Sequence, residues 1–581
     1  MRSLNKIVKT ISVIIVPLGI LLFARQLYLS GNTLQNAVVN TVAAIIGMIP
    51  EGLVLLTSTV FAVSVIRLSK EKVLVQDLYC IESLARVDVI CLDKTGTITE
   101  GKMEVVDVIP LDGETKASLG DILGSMMAAT KDKNATAIAI RDAYYRKPKW
   151  KVEEVIPFSS EKKYSGVKFA TDTYLIGAVE FVLKDHGKSY QKMLDDYIKK
   201  YRVLVLVKVN NYGKKNEERK ALGFILLQDK VRKEAKKTLE YFKEQGVAIK
   251  IISGDNPISV SNILKQLEFE GYDKFIAGPD LPKDYEELVK VAHEKVIFGR
   301  MTPSQKQMVI KALKEDNTVS MIGDGVNDVL GLKEADCGIA LQSGVNAARS
   351  VSEVVLTTSD FSVLPDIVNE GRRVVNNIER VAAMYLIKTT YSFLLSLLSI
   401  VLTYEYPFYP IQLSLISSVC VGIPSFFLAL EPNYNKVTKG FLSKVFRNAL
   451  PNGMTVVINI FIIIMFCTVF HKDFENYRLV VVALTGFITL RQLYTICKPL
   501  NLWRKILLIF CIISFLELLI LLPDLFLVSK FGIVSIIFIS VIAFIDTYII
   551  DFLQEIYDKV LIKVRSINNE IKERKERKKH S

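Results

Sequence analysis

The sequence predicts a transmembrane helix bundle joined to a large cytoplasmic α/β block that carries an α+β insertion. Three observations predict it. Apolar runs at 8–29 and 36–66, and again at 381–404, 410–430, 453–470, 479–497, 503–523 and 531–551, make eight candidate crossings, each long enough to span a bilayer at ~20 residues per crossing. The chain between them, about 70 to 375, is polar and mixed. Within it, short apolar runs end in turns containing Gly and Asp, as buried parallel strands do. The 581 residues are 50% hydrophobic, with a mean hydropathy of +0.31, too apolar for an ordinary soluble enzyme.

Taken in order, the first run is no cleaved signal peptide, because no small-residue cleavage site follows it and a second run comes at once. The second run contains Pro50 and Glu51 inside one long apolar helix. Pro50 lacks an amide donor and frees the carbonyl near Ile46, and Glu51 brings a carboxylate to mid-membrane, where it is costly and usually functional. Lys and Arg crowd alternate connections: Lys6 and Lys9; Arg67, Lys70 and Lys72; Lys436, Lys439, Lys444 and Arg447; Lys498, Arg504 and Lys505. By the positive-inside rule both termini and the polar block are cytoplasmic. The net charge of +13 lies beside the apolar segments, which argues against nucleic acid as a partner and for the lipid bilayer. The tail from Lys559 is basic and of helical character, a solvated positive-inside segment with anionic lipid contact as a secondary role. The seven Cys show no metal-type pairing and read as reduced and buried, and with four His a His-based metal site is improbable.

The organising string is Asp93-Lys94-Thr95-Gly96-Thr97-Ile98-Thr99, which follows the run Val87 to Leu92. Asp93 would stand at a strand's C-terminal tip, where open α/β sheets bind ligands, and a carboxylate there can take up a phosphoryl group. Met321-Ile322-Gly323-Asp324-Gly325-Val326-Asn327-Asp328 puts Asp324 at a second tip. Two converging carboxylates call for a cation, and Mg²⁺ suits an all-oxygen site that also touches phosphate. Between them lie Ser253-Gly254-Asp255 and Arg300 to Lys306, whose Lys306 could neutralise a transferring phosphoryl group.

In this order the strings resemble haloacid-dehalogenase-type phosphotransferases in their P-type cation-pumping ATPase form. The resemblance implies a cytoplasmic α/β haloacid-dehalogenase-like phosphorylation domain, with ATP and Mg²⁺ as cofactors. It implies Asp93 as nucleophile, Asp93, the Thr95 carbonyl and Asp324 on Mg²⁺, and Lys306 and Ser253 on the phosphoryl group. Gly254, Asp255, Arg300 and Asn327 join the phosphate and nucleotide contacts. Ser253 stands where the family usually has Thr, keeping the hydroxyl. Asp229-Lys230-Val231-Arg232 resembles the family's Asp-Pro-x-Arg hinge without its Pro, with Asp229 and Arg232 in place. Phosphatases of this fold usually place an acid two positions after the nucleophile. Thr95 cannot serve as one at neutral pH, so the aspartyl-phosphate should be long-lived, which favours a pump over a membrane-anchored phosphatase.

The implied domains are 1–70 (two helices, equivalent to the family's third and fourth), 71–112 and 220–375 (phosphorylation domain), 113–219 (nucleotide-binding insertion), 376–555 (six helices) and 556–581 (basic tail). Pro157 to Ser165 resembles the family's adenine pocket, with Phe158 stacking on the base and Lys163 facing it or the phosphates. Tyr174-Leu175-Ile176-Gly177-Ala178 matches the Lys-Gly-Ala loop at Gly177, with Ile176 in place of the Lys. Met48 to Leu53 resembles the fourth helix of calcium-type pumps. Glu51, with the hydroxyls of Thr389 and Thr390, is then the expected set for the transported cation, calcium favoured. Val421 stands where the best-known calcium pumps have Asp, beside a second break at Gly422-Ile423-Pro424. Lys388 either pairs with Glu51 when the ion has left or snorkels to an interface. The family's first two helices and its Thr-Gly-Glu actuator have no counterpart here. The expectation is therefore an N-terminally truncated pump, with a separate chain or upstream coding sequence supplying the actuator, or a non-catalytic remnant. The location implied is a bacterial plasma membrane.

Overall fold

The computed structural model describes residues 2–579 other than 29–32, 112, 133, 145–146, 148, 160–161, 184–189, 199–200, 215–216, 359, 403–404 and 439. The chain divides into two compact units, residues 1–66 with 369–581, and residues 67–368.

The first unit is helical. Its helices are α1 (Arg2–Leu27), α2 (Leu34–Met48), α3 (Glu51–Lys70), α4 (Leu364–Leu402), α5 (Pro410–Leu415), α6 (Ile423–Ala429), α7 (Phe441–Val469), α8 (Arg478–Ile496), α9 (Leu502–Leu521) and α10 (Ile533–Lys579). Seven helical stretches among the described residues are long and apolar enough to cross a membrane. The eighth expected crossing is α9, a 20-residue helix that carries Arg504, Lys505 and Glu517.

Two expected crossings are interrupted. The run at 36–66 is not one helix: α2 stops at Met48, Ile49 is extended (φ −83°, ψ 121°), and α3 restarts at Glu51. Pro50 offers no N–H to continue α2 and is placed to start the next helix instead. Between α5 and α6 the chain widens into i→i+5 turns over Ile416–Gly422, where Ile423 N bonds the Ser418 carbonyl. Such widenings mark functional sites more often than chance, and Pro424, just beyond, again withholds a donor. Toward the C-terminus, α10 continues as helix to Lys579, through most of the basic tail.

The second unit contains two sheets. Its strands are β1 (Val73–Val75), β2 (Val89–Leu92), β3 (Thr99–Pro110), β4 (Val152–Ile156), β5 (Tyr164–Phe169), β6 (Thr173–Ala178), β7 (Arg202–Asn210), β8 (Glu218–Val231), β9 (Ala248–Ile252), β10 (Phe275–Ala277), β11 (Ile297–Gly299), β12 (Val319–Gly323), β13 (Cys337–Leu341) and β14 (Val354–Leu356). Eight form one sheet in the order β1-β14-β13-β12-β2-β9-β11-β10, parallel except for β1. Its central strands β2 and β12 are wholly buried, which is why they read as unbroken apolar runs. Val89, Cys91, Ile252, Phe298, Val319 and Met321 share their core.

The other six strands, β3-β8-β7-β6-β5-β4, form an antiparallel sheet. It begins at Thr99 and returns at Val231, which pair with each other. This sheet therefore reaches from Thr99 to Val231, beyond both ends of 113–219, the bounds expected for the nucleotide-binding insertion. Composition could not show this, because β3 and β8 run uninterrupted from the core domain's edge into the inserted sheet.

Candidate active site and membrane cavity

The site is built by strand order. β12 pairs with β2 so that Ile322 lies beside Leu92, and β9 flanks β2 on its other side with Ile251 beside Leu92. Parallel pairing in this register carries Asp93, Asp324 and Ser253 to the same edge of the sheet, the C-terminal edge at which such sheets bind ligands. Asp93 is buried, its N–H bonds the Ile322 carbonyl at 2.9 Å, and its Oδ2 accepts from Thr95 N at 3.1 Å.

Lys306 reaches the site from the helix Pro303–Leu313, which Thr302 and Gln305 cap reciprocally. Its Nζ lies 2.9 Å from Asp93 Oδ1 and 2.6 Å from Asp328 Oδ1. Oxygens of Asp93, Asp324 and Asp328 lie within 4.8 Å of one another. Three carboxylates against one ammonium leave two negative charges in a mostly buried space. That donor set fits a hard divalent cation such as Mg²⁺.

Burial, opposed by Lys306 and reinforced by Asp328 and Asp324, pushes Asp93 up to about 6. Asp324 is raised as well, first by burial and then by Asp328. Burial works against the charge of Lys306, yet Asp93 and Asp328 outweigh it and hold the ammonium above the ordinary lysine value. The cluster thus keeps a charged ammonium beside a carboxyl that is short of counter-charge. Gly96 makes the geometry possible. Its φ is +73°, and a Cβ there would stand 2.3 Å from Asp324 Oδ2.

Around this centre, Lys94 Nζ is hydrogen-bonded to Asp229 and lies 2.5 Å from Asp255 Oδ2. Arg232 Nη2 donates to the Gly96 carbonyl at 2.8 Å, and Arg232 N to the Ile98 carbonyl at 3.0 Å. Asp229, Asp255 and Arg232 therefore hold the Asp93 loop from one side. Ser253 is buried, its Oγ accepting from Asp255 N at 3.2 Å. Gly254, Arg300 and Asn327 have exposed side chains or none, and Arg300 joins the group through its N–H to the Asp255 carbonyl at 2.7 Å.

Two residues of this centre carry no role that the sequence alone assigns. Asp328 closes the turn that Asp324 opens, four residues on. Lys94 follows Asp93 directly, and only the fold shows that it turns to Asp229 and Asp255.

In the inserted sheet, Phe158 follows β4 and is exposed, and Lys163 immediately precedes β5 at a left-handed φ of 57°. Tyr164 pairs with Gly177, and a Cβ on Gly177 would stand 2.4 Å from the Lys163 carbonyl. The structure thus brings Lys163 and Gly177 together. Ser160 and Glu161 of the expected adenine pocket lie outside the described residues.

In the helical unit, Glu51 lies at the start of α3 in a cavity of about 450 Å³ lined by Pro50, Tyr385, Lys388, Ser417 and Ser418 among others. Lys388 Nζ is 3.9 Å from Glu51 Oε1. The Ser417 hydroxyl is buried without a partner. Thr389 and Thr390 do not join this cavity. They line a separate apolar one with Met48, Phe393, Leu450 and Met454. Helix periodicity explains the difference, since one or two residues on from Lys388 a side chain has turned away by about 100° or 200°.

The fold and the site define a phosphotransferase-type sheet domain, and residues 87–336 match the family model described as haloacid dehalogenase-like hydrolase. Over 533 residues the chain is 39% identical to the probable cation-transporting ATPase exp7 of Streptococcus pneumoniae, covering 89% of this chain and 68% of that protein. It is also 39% identical to the calcium-transporting ATPase CtpE of Mycobacterium tuberculosis over 79% of this chain and 60% of that protein. The chain belongs to the P-type cation-transporting ATPase family, and spans between about three fifths and two thirds of the length of these relatives. Among solved structures, a zinc-transporting PIB-type ATPase in the E2.Pi state shares the fold with a TM-score of 0.55 at 20% identity, covering 72% of this chain and 62% of that one.

Proposed function

We propose that this chain takes the terminal phosphoryl group of ATP onto Asp93 and uses it to drive a cation, calcium by preference, across the membrane. The observation that carries the reading is the convergence of Asp93, Lys306, Asp324 and Asp328 at one sheet edge. An Asp93 carboxylate oxygen attacks the γ-phosphorus as the bond to the ADP oxygen breaks. Lys306 neutralises charge on the transferring group, and Ser253 offers its hydroxyl from the neighbouring strand tip. Mg²⁺, held by Asp93 and Asp324 with the Thr95 carbonyl, would shield the approach of two anions; Asp328, within the same cluster, is a further oxygen for it. Phe158 and Lys163 receive the adenine end.

The cation side of the reading rests on Glu51. A carboxylate at a helix break, beside an unpartnered Ser417 hydroxyl, offers oxygen ligands to a hard cation. Lys388 supplies a counter-charge when the cation leaves. Five relatives bear calcium in their names, which favours calcium although Val421 brings no carboxylate. Thr95 offers no acid to activate water, which weighs against the phosphatase reading.

The test is phosphoenzyme formation from γ-labelled ATP by the full chain in lipid. Acid-stable label is expected on the wild type and absent from Asp93→Asn. Label that persists in Asp93→Asn, or that never forms under any cation condition, sinks the proposal.

A further inference from the structure

Three helices of the membrane unit, α7, α8 and α10, pack against one another. They enclose polar side chains that neither the Asp93 centre nor the Glu51 cavity uses. Asn452 on α7 donates to Gln492 Oε1 on α8 at 3.2 Å. Two helical turns further along α7, Asn459 Nδ2 donates to Asp546 Oδ2 on α10 at 2.9 Å. Asp546 is fully buried and Asn459 is 2% exposed. Asn459 Oδ1 and Asp546 Oδ1 are each buried with no hydrogen-bond partner.

Both orphaned atoms are acceptors, so neither can satisfy the other while Asp546 is ionised. An ionised Asp546 would also leave an unpaired charge inside the bundle, which is expensive. A single proton removes both defects. A carboxylic acid facing a carboxamide makes a two-bond ring, the amide N–H to the acid's carbonyl oxygen and the acid O–H to the amide's carbonyl oxygen. The first of these bonds is already in place.

We propose that Asp546 and Asn459 form a proton-binding acid–amide pair that clasps α7 to α10, separate from the Glu51 cavity. The proton comes from solvent and adds to the Asp546 carboxylate, and no other bond changes. A metal ion fits the donor set poorly, because one carboxylate and one amide fall far short of the roughly six to eight oxygens of Ca²⁺ or the six or so of Mg²⁺. The side-chain cation whose charge reaches Asp546, Arg491, is engaged elsewhere. Beyond Arg447, α7 carries no charged residue up to its end at Val469. On α8, Arg491 Nη2 is committed to Asp551 Oδ1 at 2.8 Å and to the Thr547 carbonyl at 3.4 Å. Arg478 is held by Glu475 and the Pro407 carbonyl. The clasp does not depend on which cation the Glu51 cavity takes.

The experiment is infrared difference spectroscopy of the full chain in lipid nanodiscs at neutral pH, in H₂O and D₂O. Wild type minus Asp546→Asn, which keeps the shape of the pair, is expected to show the C=O band of one protonated carboxylic acid, moving down in D₂O. Carboxylate bands in its place would overturn the proposal, with Arg491 or a bound cation as the counter-charge. Asn459→Leu provides a second reading that leaves the acid untouched. The acid band is expected to move to higher frequency as the amide bond is lost, and an unmoved band would refute the pairing.

Discussion

Lys306 shows how much one side chain carries at the centre of this protein. Its ammonium lies between Asp93 and Asp328 in a nearly dry setting. Removing one partner from such a cluster leaves uncompensated buried charge and costs about 3–5 kcal/mol. Lys306→Met is expected to lower the stability of the chain by that order in chelator, and added Mg²⁺ to restore part of it by replacing the lost positive charge. Thermal or urea unfolding with and without Mg²⁺ measures both. A second lysine gives a pH signature. Lys250 lies in the core sheet, its Nζ donating to the His293 and Lys295 carbonyls at 2.7 and 2.5 Å. Burial pushes it down to about 8 from the ordinary 10.5. Between those values the unfolded chain binds more protons than the folded one, so stability rises with pH across that window. The melting-temperature difference between wild type and Lys250→Met should therefore shift in favour of the wild type as pH rises through that window.

At the scale of elements, the loop between β2 and β3 holds the site together through Gly96. Its left-handed φ, and the 2.3 Å that would separate an added Cβ from Asp324 Oδ2, leave no room for a side chain. Gly96→Ala is expected to cost roughly 1–3 kcal/mol in backbone strain, to push Asp324 out of the cluster, and to weaken Mg²⁺ binding. Titration of Mg²⁺-dependent stabilisation in the variant checks this, and unchanged Mg²⁺ affinity would count against Asp324 as a ligand. The strings around Asp93 and Asp324 were legible because strand tips and glycine turns are local features. The outer bounds of the inserted sheet were not, because β3 and β8 are far apart in the chain and no local pattern marks where one sheet yields to the other. The break at Ile49 and Pro50 was half legible: proline removes a donor wherever it stands, but whether a helix kinks or stops depends on its neighbours.

For the whole molecule, the reading of a cation pump makes a paired expectation about α3 and α4. Glu51→Gln should leave Asp93 able to take label while its calcium dependence shifts by roughly tenfold or more, the weight of one lost charged ligand being at least about 1.4 kcal/mol. Lys388→Met should shift it the opposite way, because the competing ammonium 3.9 Å from Glu51 is gone. Phosphoenzyme levels against free calcium distinguish these outcomes. If both variants respond as the wild type does, the Glu51 cavity is not where the cation binds.

Residue type and local order were enough to determine the membrane runs, the strand tips that carry Asp93, Ser253 and Asp324, and the acid at a helix break, since each is written in a few consecutive residues. Tertiary structure alone decided what each side chain meets. It turned Lys94 to Asp229 and Asp255, added Asp328 to the cluster, sent Thr389 and Thr390 to a different cavity from Glu51, and set Asn459 against Asp546. These contacts join residues far apart in the chain, and they depend on strand register and helix rotation, which burial of the whole apolar surface fixes and no short stretch encodes.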